Sequence, residues 1–196
     1  MSEAFNIYMC GVGGQGIGLL AELLARAAGH AGWRLRGCDT HGLAQRGGMV
    51  SSHLRLGTAW SPLIAAGQAD LVLALERSEA LRGARSMLRS GGGLVWYDTA
   101  WQALDVRTGA NQPVVEAEVL AAVAAVGGTA VRVLRPDLPD PRMQNVALVA
   151  ELLAQGLLPR IGVAEVIAAM RDLMGDAVLQ ANLPLLGAAR GAVPRP

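Results

Sequence analysis

Residues 5–32 read FNIYMCGVGGQGIGLLAELLARAAGHAG, and their order decides which fold to expect. FNIYMC, 5–10, is a short apolar run ended by glycines, a buried strand by length and flanks. GVGGQGIG follows. Then comes LLAELLARAAGHAG, with apolar residues at helical spacing and a glycine stop. WRLRGCD, 33–39, reads as a second strand. Strand, glycine loop, helix and strand make a βαβ unit.

The same alternation continues outward. Residues 40–48 read as a loop and MVSSHLRL, 49–56, as a strand, with GTAWSP a turn after it. ADLVLAL, 69–75, is the near-continuous apolar run of a strand covered on both faces. ERSEALRGARSML is a helix; GGGLVWYD, 91–98, and TAVRVL, 129–134, are strands around a helix at 113–126. The proline-rich RPDLPDP, 135–141, breaks the pattern, and RMQNVALVAELLAQG, VAEVIAAMRDLMG and DAVLQANLPLLGAARG beyond it are helical. The fold class expected is α/β: a Rossmann-like three-layer arrangement around a mostly parallel sheet, with C-terminal helices capping one side. The links near 48 and 57 are too short for helical crossovers, which predicts an antiparallel pair. Residues 1–196 are read as a single domain, its α/β part over about 1–135 and its closing helices over about 141–190.

Composition narrows the function. With 52% hydrophobic and 17% charged residues, the chain can bury a sizeable core. A net charge of +1 offers no basic surface for nucleic acid. There is no lysine; all 17 basic residues are arginine, so chemistry requiring lysine is excluded. Cys10 and Cys38 are the only cysteines, too few for an iron–sulfur or structural zinc site within one chain. The N-terminus MSEAFNIYM lacks a signal-peptide pattern, and no apolar run reaches membrane-spanning length. A cytoplasmic protein without membrane contact is expected.

Gly11, Val12, Gly13, Gly14, Gln15 and Gly16 satisfy G-x-G-x-x-G with a strand before and a helix after. Such a loop lets a diphosphate approach the backbone and face helix N-terminal amides. The same glycines also serve simple close packing of helix on strand. Asp39, closing the second strand, stands where a ribose-binding acid would in a dinucleotide-binding protein. A stand-alone NAD(P)-binding oxidoreductase is therefore one reading. A nucleotide-hydrolysing P-loop is not, because it needs a lysine.

Residues 40–53, THGLAQRGGMVSSH, bunch polar groups around paired glycines. No metal set forms around His41 and His53, and no nucleophile–base–acid set can be assembled. Ser51 and His53, two apart in a strand, share a face without further support for catalysis. GVGGQGIGLLAELLARAA, DTHGLAQRGGMVSSHLRLG and SPLIAAGQADLVLALERSEALR together resemble a known family. They are similar to the gamma-type domain of the thiamine-dependent 2-oxoacid:ferredoxin oxidoreductases, in the form of the indolepyruvate ferredoxin oxidoreductase beta subunit. The resemblance is strong over residues 5–100, returns at PRMQNVALVAELLA, 141–154, and holds only in outline between.

The resemblance implies a subunit of a complex that oxidatively decarboxylates indolepyruvate or another aryl 2-oxoacid to the acyl-CoA and reduces ferredoxin. It places thiamine diphosphate, magnesium and iron–sulfur clusters on a large alpha subunit, with coenzyme A as co-substrate. This chain has no Cys-x-x-Cys and no thiamine-type GDG motif, so the isolated chain is expected to be inactive and to hold no metal and no catalytic residue. The working edge expected is Gly11, Gly13, Gly14, Gln15 and Gly16 with Thr40, His41, Gln45, Arg46, Gly47 and Gly48. Gly47 and Gly48 allow close backbone approach, Arg46 can fork onto a carboxylate or phosphate, and Thr40, His41 and Gln45 offer directed polar contacts. Subunit interface, contact with substrate or coenzyme A, and scaffold packing all remain open for this loop.

Overall fold

The computed structural model describes residues 4–41, 48–100 and 112–189. Six strands form one sheet: β1 (Phe5–Val12), β2 (Leu35–His41), β3 (Met49–Leu56), β4 (Ala69–Ala74), β5 (Leu88–Tyr97) and β6 (Thr129–Val133). Their order is β2-β3-β1-β4-β5-β6. The pairs β1–β4, β4–β5 and β5–β6 are parallel. The sheet is thus mixed, as the short links require. β3 alone runs against the rest, and it does so beside both β1 and β2.

Helices cover both faces. α1 (Ile17–His30) follows β1, α2 (Arg77–Ser86) joins β4 to β5, and α3 (Glu116–Ala125) precedes β6. α4 (Gln144–Ala154), α5 (Val163–Leu173) and α6 (Asp176–Asn182) close the chain. α1 buries Ile17, Leu20, Leu23, Leu24, Ala27 and Ala28, the stripe its helical spacing predicts. That stripe packs with α4 and α5 on Ile7 and Met9 of β1, Leu54 and Leu56 of β3, and Leu71 and Leu73 of β4. The alternate residues Tyr8, Cys10, Val72, Ala74, Leu94 and Trp96 face α2 and α3 on the other side. Two covered faces explain why these strands read as apolar runs rather than alternating ones. At Gly83 of α2 a Cβ would stand 2.8 Å from Val72 Cγ1 and 3.3 Å from Cys10 Sγ, so helix and sheet meet there at closest approach.

Two sequence expectations need amending. The βαβ unit is split: β1–α1–β2 exists, but β3 is inserted between its two strands. Thr40 and His41, assigned to a loop, are instead the last residues of β2, because they pair with Ser51 and Val50 of β3. Other elements shift only at their ends; β5 starts at Leu88 rather than 91, and α3 at Glu116 rather than 113.

Asp98, just past β5, ties the second face together. Arg77 at the start of α2 contacts it twice, Nε to Oδ1 at 2.6 Å and Nη2 to Oδ2 at 2.8 Å. Arg132 of β6 donates from Nε to Oδ2 at 2.6 Å, and Trp96 Nε1 lies 3.3 Å from Oδ1. The Arg77 guanidinium first, with Arg132 and Trp96 adding and burial opposing, lowers the carboxyl from 3.8 to about 2. That difference corresponds to roughly 2–3 kcal/mol of native-state stability. Because the folded value is the lower one, the contribution is complete above about pH 4 and is lost as pH falls toward 2. Urea titrations of wild type and Asp98→Asn should differ by about 2–3 kcal/mol at pH 7, by roughly half of that near pH 3, and converge only below about pH 2.

Candidate functional site at the carboxyl edge of the sheet

The carboxyl ends of β1 and β2 and the amino end of β3 lie along one sheet edge. Register proves it: Gly11 pairs with Val50, and Val50 with His41. The glycine loop and the stretch after His41 therefore leave the sheet side by side. A backbone bond joins them where the chain returns, Gly13 N donating to Gly48 O at 2.9 Å. So Gly11, Gly13 and Gly48, and the backbone of Thr40 and His41, do share one edge. Gln45, Arg46 and Gly47 lie outside the described residues.

The glycine loop is braced from within. Gln15 turns its side chain inward, where Oε1 accepts from Val12 N at 2.8 Å. Its Nε2 donates to Leu75 O at 3.0 Å, beyond the end of β4, and lies 3.3 Å from Thr99 Oγ1 beyond β5. Thr99 Oγ1 itself donates to Leu75 O at 2.8 Å. One amide thus links the ends of β1, β4 and β5, and this leaves Gln15 in a supporting position, not a ligand-reading one. Gly14 and Gly16 hold φ of +100° and +87°, left-handed values that glycine adopts without strain. Gly14 is exposed at the tip. Gly16 caps α1.

Two residues that sequence reading did not single out complete the brace. At the start of α4, Gln144 Nε2 donates to Gln15 O at 3.1 Å and Asn145 Nδ2 to Gly16 O at 3.0 Å. The signal was a pair of amides opening an otherwise apolar helix, inside the stretch PRMQNVALVAELLA. On the α2 side of the same edge, Glu76 caps α2 by accepting from Glu79 N at 3.0 Å. Glu79 is itself buried, and its Oε1 lies 3.2 Å from Arg82 Nη1. Burial raises its carboxyl above the usual range, with Arg82 opposing. Burial likewise pushes up the thiol of Cys10, which donates weakly to Glu79 O at 3.4 Å.

The dinucleotide reading loses its acid. With β3 between β1 and β2, Asp39 is two strand spacings from β1, roughly 10 Å. Its carboxylate accepts from the Ser52 hydroxyl on β3. His53 is also accounted for: buried, it accepts at Nδ1 from Ile64 N at 3.1 Å, and its ring meets Tyr8 edge-on at 5.1 Å. Burial lowers its basicity, as a packed neutral histidine requires. Among the described residues no group of three or more His, Cys, Asp or Glu could hold a metal.

Fold and edge together define a Rossmann-like α/β module whose glycine loop is held by its own chain. Residues 6–192 match the pyruvate ferredoxin/flavodoxin oxidoreductase family, and the chain belongs to it. Over 80 residues it is 50% identical to the indolepyruvate oxidoreductase subunit IorB of Archaeoglobus fulgidus, a stretch covering 41% of this chain and 40% of that protein. The corresponding subunit of Thermococcus kodakarensis is 41% identical over 95 residues, 48% of this chain and 46% of that one. The matched stretches thus span less than half of these relatives. The gamma subunit of a keto/oxoacid ferredoxin oxidoreductase from Geobacter sulfurreducens superposes with a TM-score of 0.61 at 19% identity, over 94% of this chain and 95% of that one. The PORC subunit of pyruvate oxidoreductase from Thermotoga maritima gives 0.63 at 17% identity, over 97% of both chains. These two structures share the fold. No helix among the described residues is long and apolar enough to cross a membrane.

The brace makes a graded prediction. An alanine Cβ at Gly16 would lie 2.7 Å from Asn145 Nδ2, whereas at Gly14 it would meet nothing within 4 Å. Gly14→Ala should therefore cost about 1 kcal/mol, the left-handed backbone alone, and Gly16→Ala about 2 kcal/mol or more. Gln15→Leu, which strands Val12 N and removes the link to Leu75 O, should cost about 2–3 kcal/mol. Urea denaturation of the three variants checks the order; equal losses at Gly14 and Gly16 would remove Asn145 from the account.

Proposed function

We propose that this chain is the beta-type, cofactor-free subunit of a thiamine-dependent 2-oxoacid:ferredoxin oxidoreductase acting on indolepyruvate or another aryl 2-oxoacid. The complex would release carbon dioxide, acylate coenzyme A and pass two electrons to ferredoxin. Thiamine diphosphate, magnesium and the iron–sulfur clusters would sit on a large alpha subunit, as the resemblance to the family implies. No step of the reaction is assigned to a side chain here. In the complex, this chain's residues would build a wall of the site and a docking face.

The observation that carries this reading is the Gly13–Gly48 bond. It brings GVGGQG and the end of THGLAQRGG to one edge of the sheet. The carboxyl edge is where open α/β sheets meet their ligands, at the point where strand order reverses. Here that point lies between β1 and β4, because the chain proceeds from β1 to one side and returns to the other. With Gln15 committed internally, the loop backbone at Gly13 and Gly14 is left for contact, and Thr40, His41, Gln45 and Arg46 would supply the side chains beside it. Arg46 is the natural anion partner, by its planar fork. The proximity of the loop to the cofactor-bearing subunit would then set how substrate or coenzyme A is oriented.

Anaerobic pull-down of the tagged chain from its native host, with mass spectrometry and a visible spectrum of what co-purifies, tests the class. A large partner with iron–sulfur absorbance and bound thiamine diphosphate is expected; a clean monomer or homodimer would sink the subunit reading. Within the purified complex, Arg46→Ala should raise KM about tenfold or weaken assembly, while the isolated chain melts as wild type does. Unchanged kinetics and assembly would remove Arg46 from the working edge.

A further inference from the structure

An open cavity of about 500 Å³ lies between the first half of α1, the start of α4 and the turn from α5 into α6. Its wall is mostly apolar, formed by Leu23, Met143, Val146, Leu173, Met174 and Val178. The volume falls in the range of small-molecule sites, about 300–1,000 Å³.

Two buried polar side chains interrupt that wall. Asn145 is 3% exposed and Asn182 is 4% exposed, and both line the cavity. Each amide is locked in one orientation. Asn145 Nδ2 donates to Gly16 O at 3.0 Å, and Asn182 Nδ2 to Val178 O at 2.9 Å. Flipping either amide would set oxygen against oxygen. Each therefore presents its Oδ1 as an acceptor, and neither of these buried oxygens has a hydrogen-bond partner among the described residues. Buried acceptors are ordinarily paired, with protein, water or a ligand.

We propose that this cavity is a binding site for an uncharged, largely apolar small molecule carrying an N–H or O–H donor. The donor is received by Asn182 Oδ1, Asn145 Oδ1 or both, and the apolar body lies against Leu23, Val146 and Met174. Anions are disfavoured. The one cation on the rim among the described residues, Arg142, is already forked onto Asp140, with Nη2 to Oδ2 at 2.6 Å and Nε to Oδ2 at 2.9 Å. The described lining thus offers acceptors and no spare positive charge, which separates this ligand class from 2-oxoacids and from phosphate-bearing coenzymes. The site also reaches the glycine loop, because the amide that would receive the ligand is the one that holds Gly16.

Equilibrium dialysis of the full chain with 2-naphthol, and with 2-methoxynaphthalene as the same bicycle without a donor, tests the site. Saturable one-to-one binding of 2-naphthol is expected, with the methoxy compound at least tenfold weaker. Asn182→Leu should bring 2-naphthol down to the methoxy level while the melting curve stays cooperative. Ala181→Trp, at an exposed lining position, should abolish binding of both compounds by filling the space. Absence of saturable 2-naphthol binding would overturn the proposal. So would equal affinities for the two compounds that Asn182→Leu leaves unchanged. The same dialysis on the complex with its partner distinguishes a ligand site from a docking groove: a site closed in the complex belongs to the interface, and the small-molecule assignment falls.

Discussion

One primary amide closes the carboxyl edge of the sheet. Gln15 accepts from Val12 N and donates to Leu75 O, with Thr99 Oγ1 alongside, so a single side chain spans the ends of three strands. The glycines around it become intelligible from that constraint. The chain must leave β1, fold back far enough to aim Gln15 inward, and still enter α1 in register. Left-handed values at Gly14 and Gly16 allow this. A loop of this kind is rigid because its polar groups are spent on the protein. What it presents outward is backbone shape.

The second constraint is the direction of β3. In a simple Rossmann unit β2 lies beside β1, and the acid at its end overlooks the glycine loop. Inserting an antiparallel strand moves that acid one place along the sheet and brings a different stretch to the loop. The stretch it brings is the one ending at Gly48. A glycine fingerprint that would otherwise serve a dinucleotide thus acquires a new neighbour through topology alone, with no change in the fingerprint.

Much of this was legible in the sequence. The six strands and the helices between them followed from apolar runs and glycine stops, and MVSSHLRL was located to the residue. The antiparallel element followed from link length. Strand order did not, since nothing in WRLRGCD or MVSSHLRL says which of them lies against β1. Thr40 and His41 were misread for the same reason: whether a polar residue ends a strand or begins a loop depends on the partner strand, here Ser51 and Val50. Gln15 was visible as a motif residue, but its inward orientation depends on Leu75 and Thr99, which lie 60 and 84 positions away. Asn145 was harder still. Its role is a contact across 129 positions, and an amide pair at the head of an apolar helix carries no address.

The central strand is also the first of the six to be synthesised. β1 has β3 and β4 as its neighbours, so both of its hydrogen-bonding edges stay open until residues 49–74 have left the ribosome. During that interval FNIYMC is an unpaired apolar strand, the kind of segment on which nascent chains aggregate. α1 follows at once and can shield one face, that of Ile7 and Met9, but it cannot pair the edges. Completion comes later again. Gly16 receives Asn145 only when α4 has been made, so the glycine loop is finished long after its own residues have been synthesised.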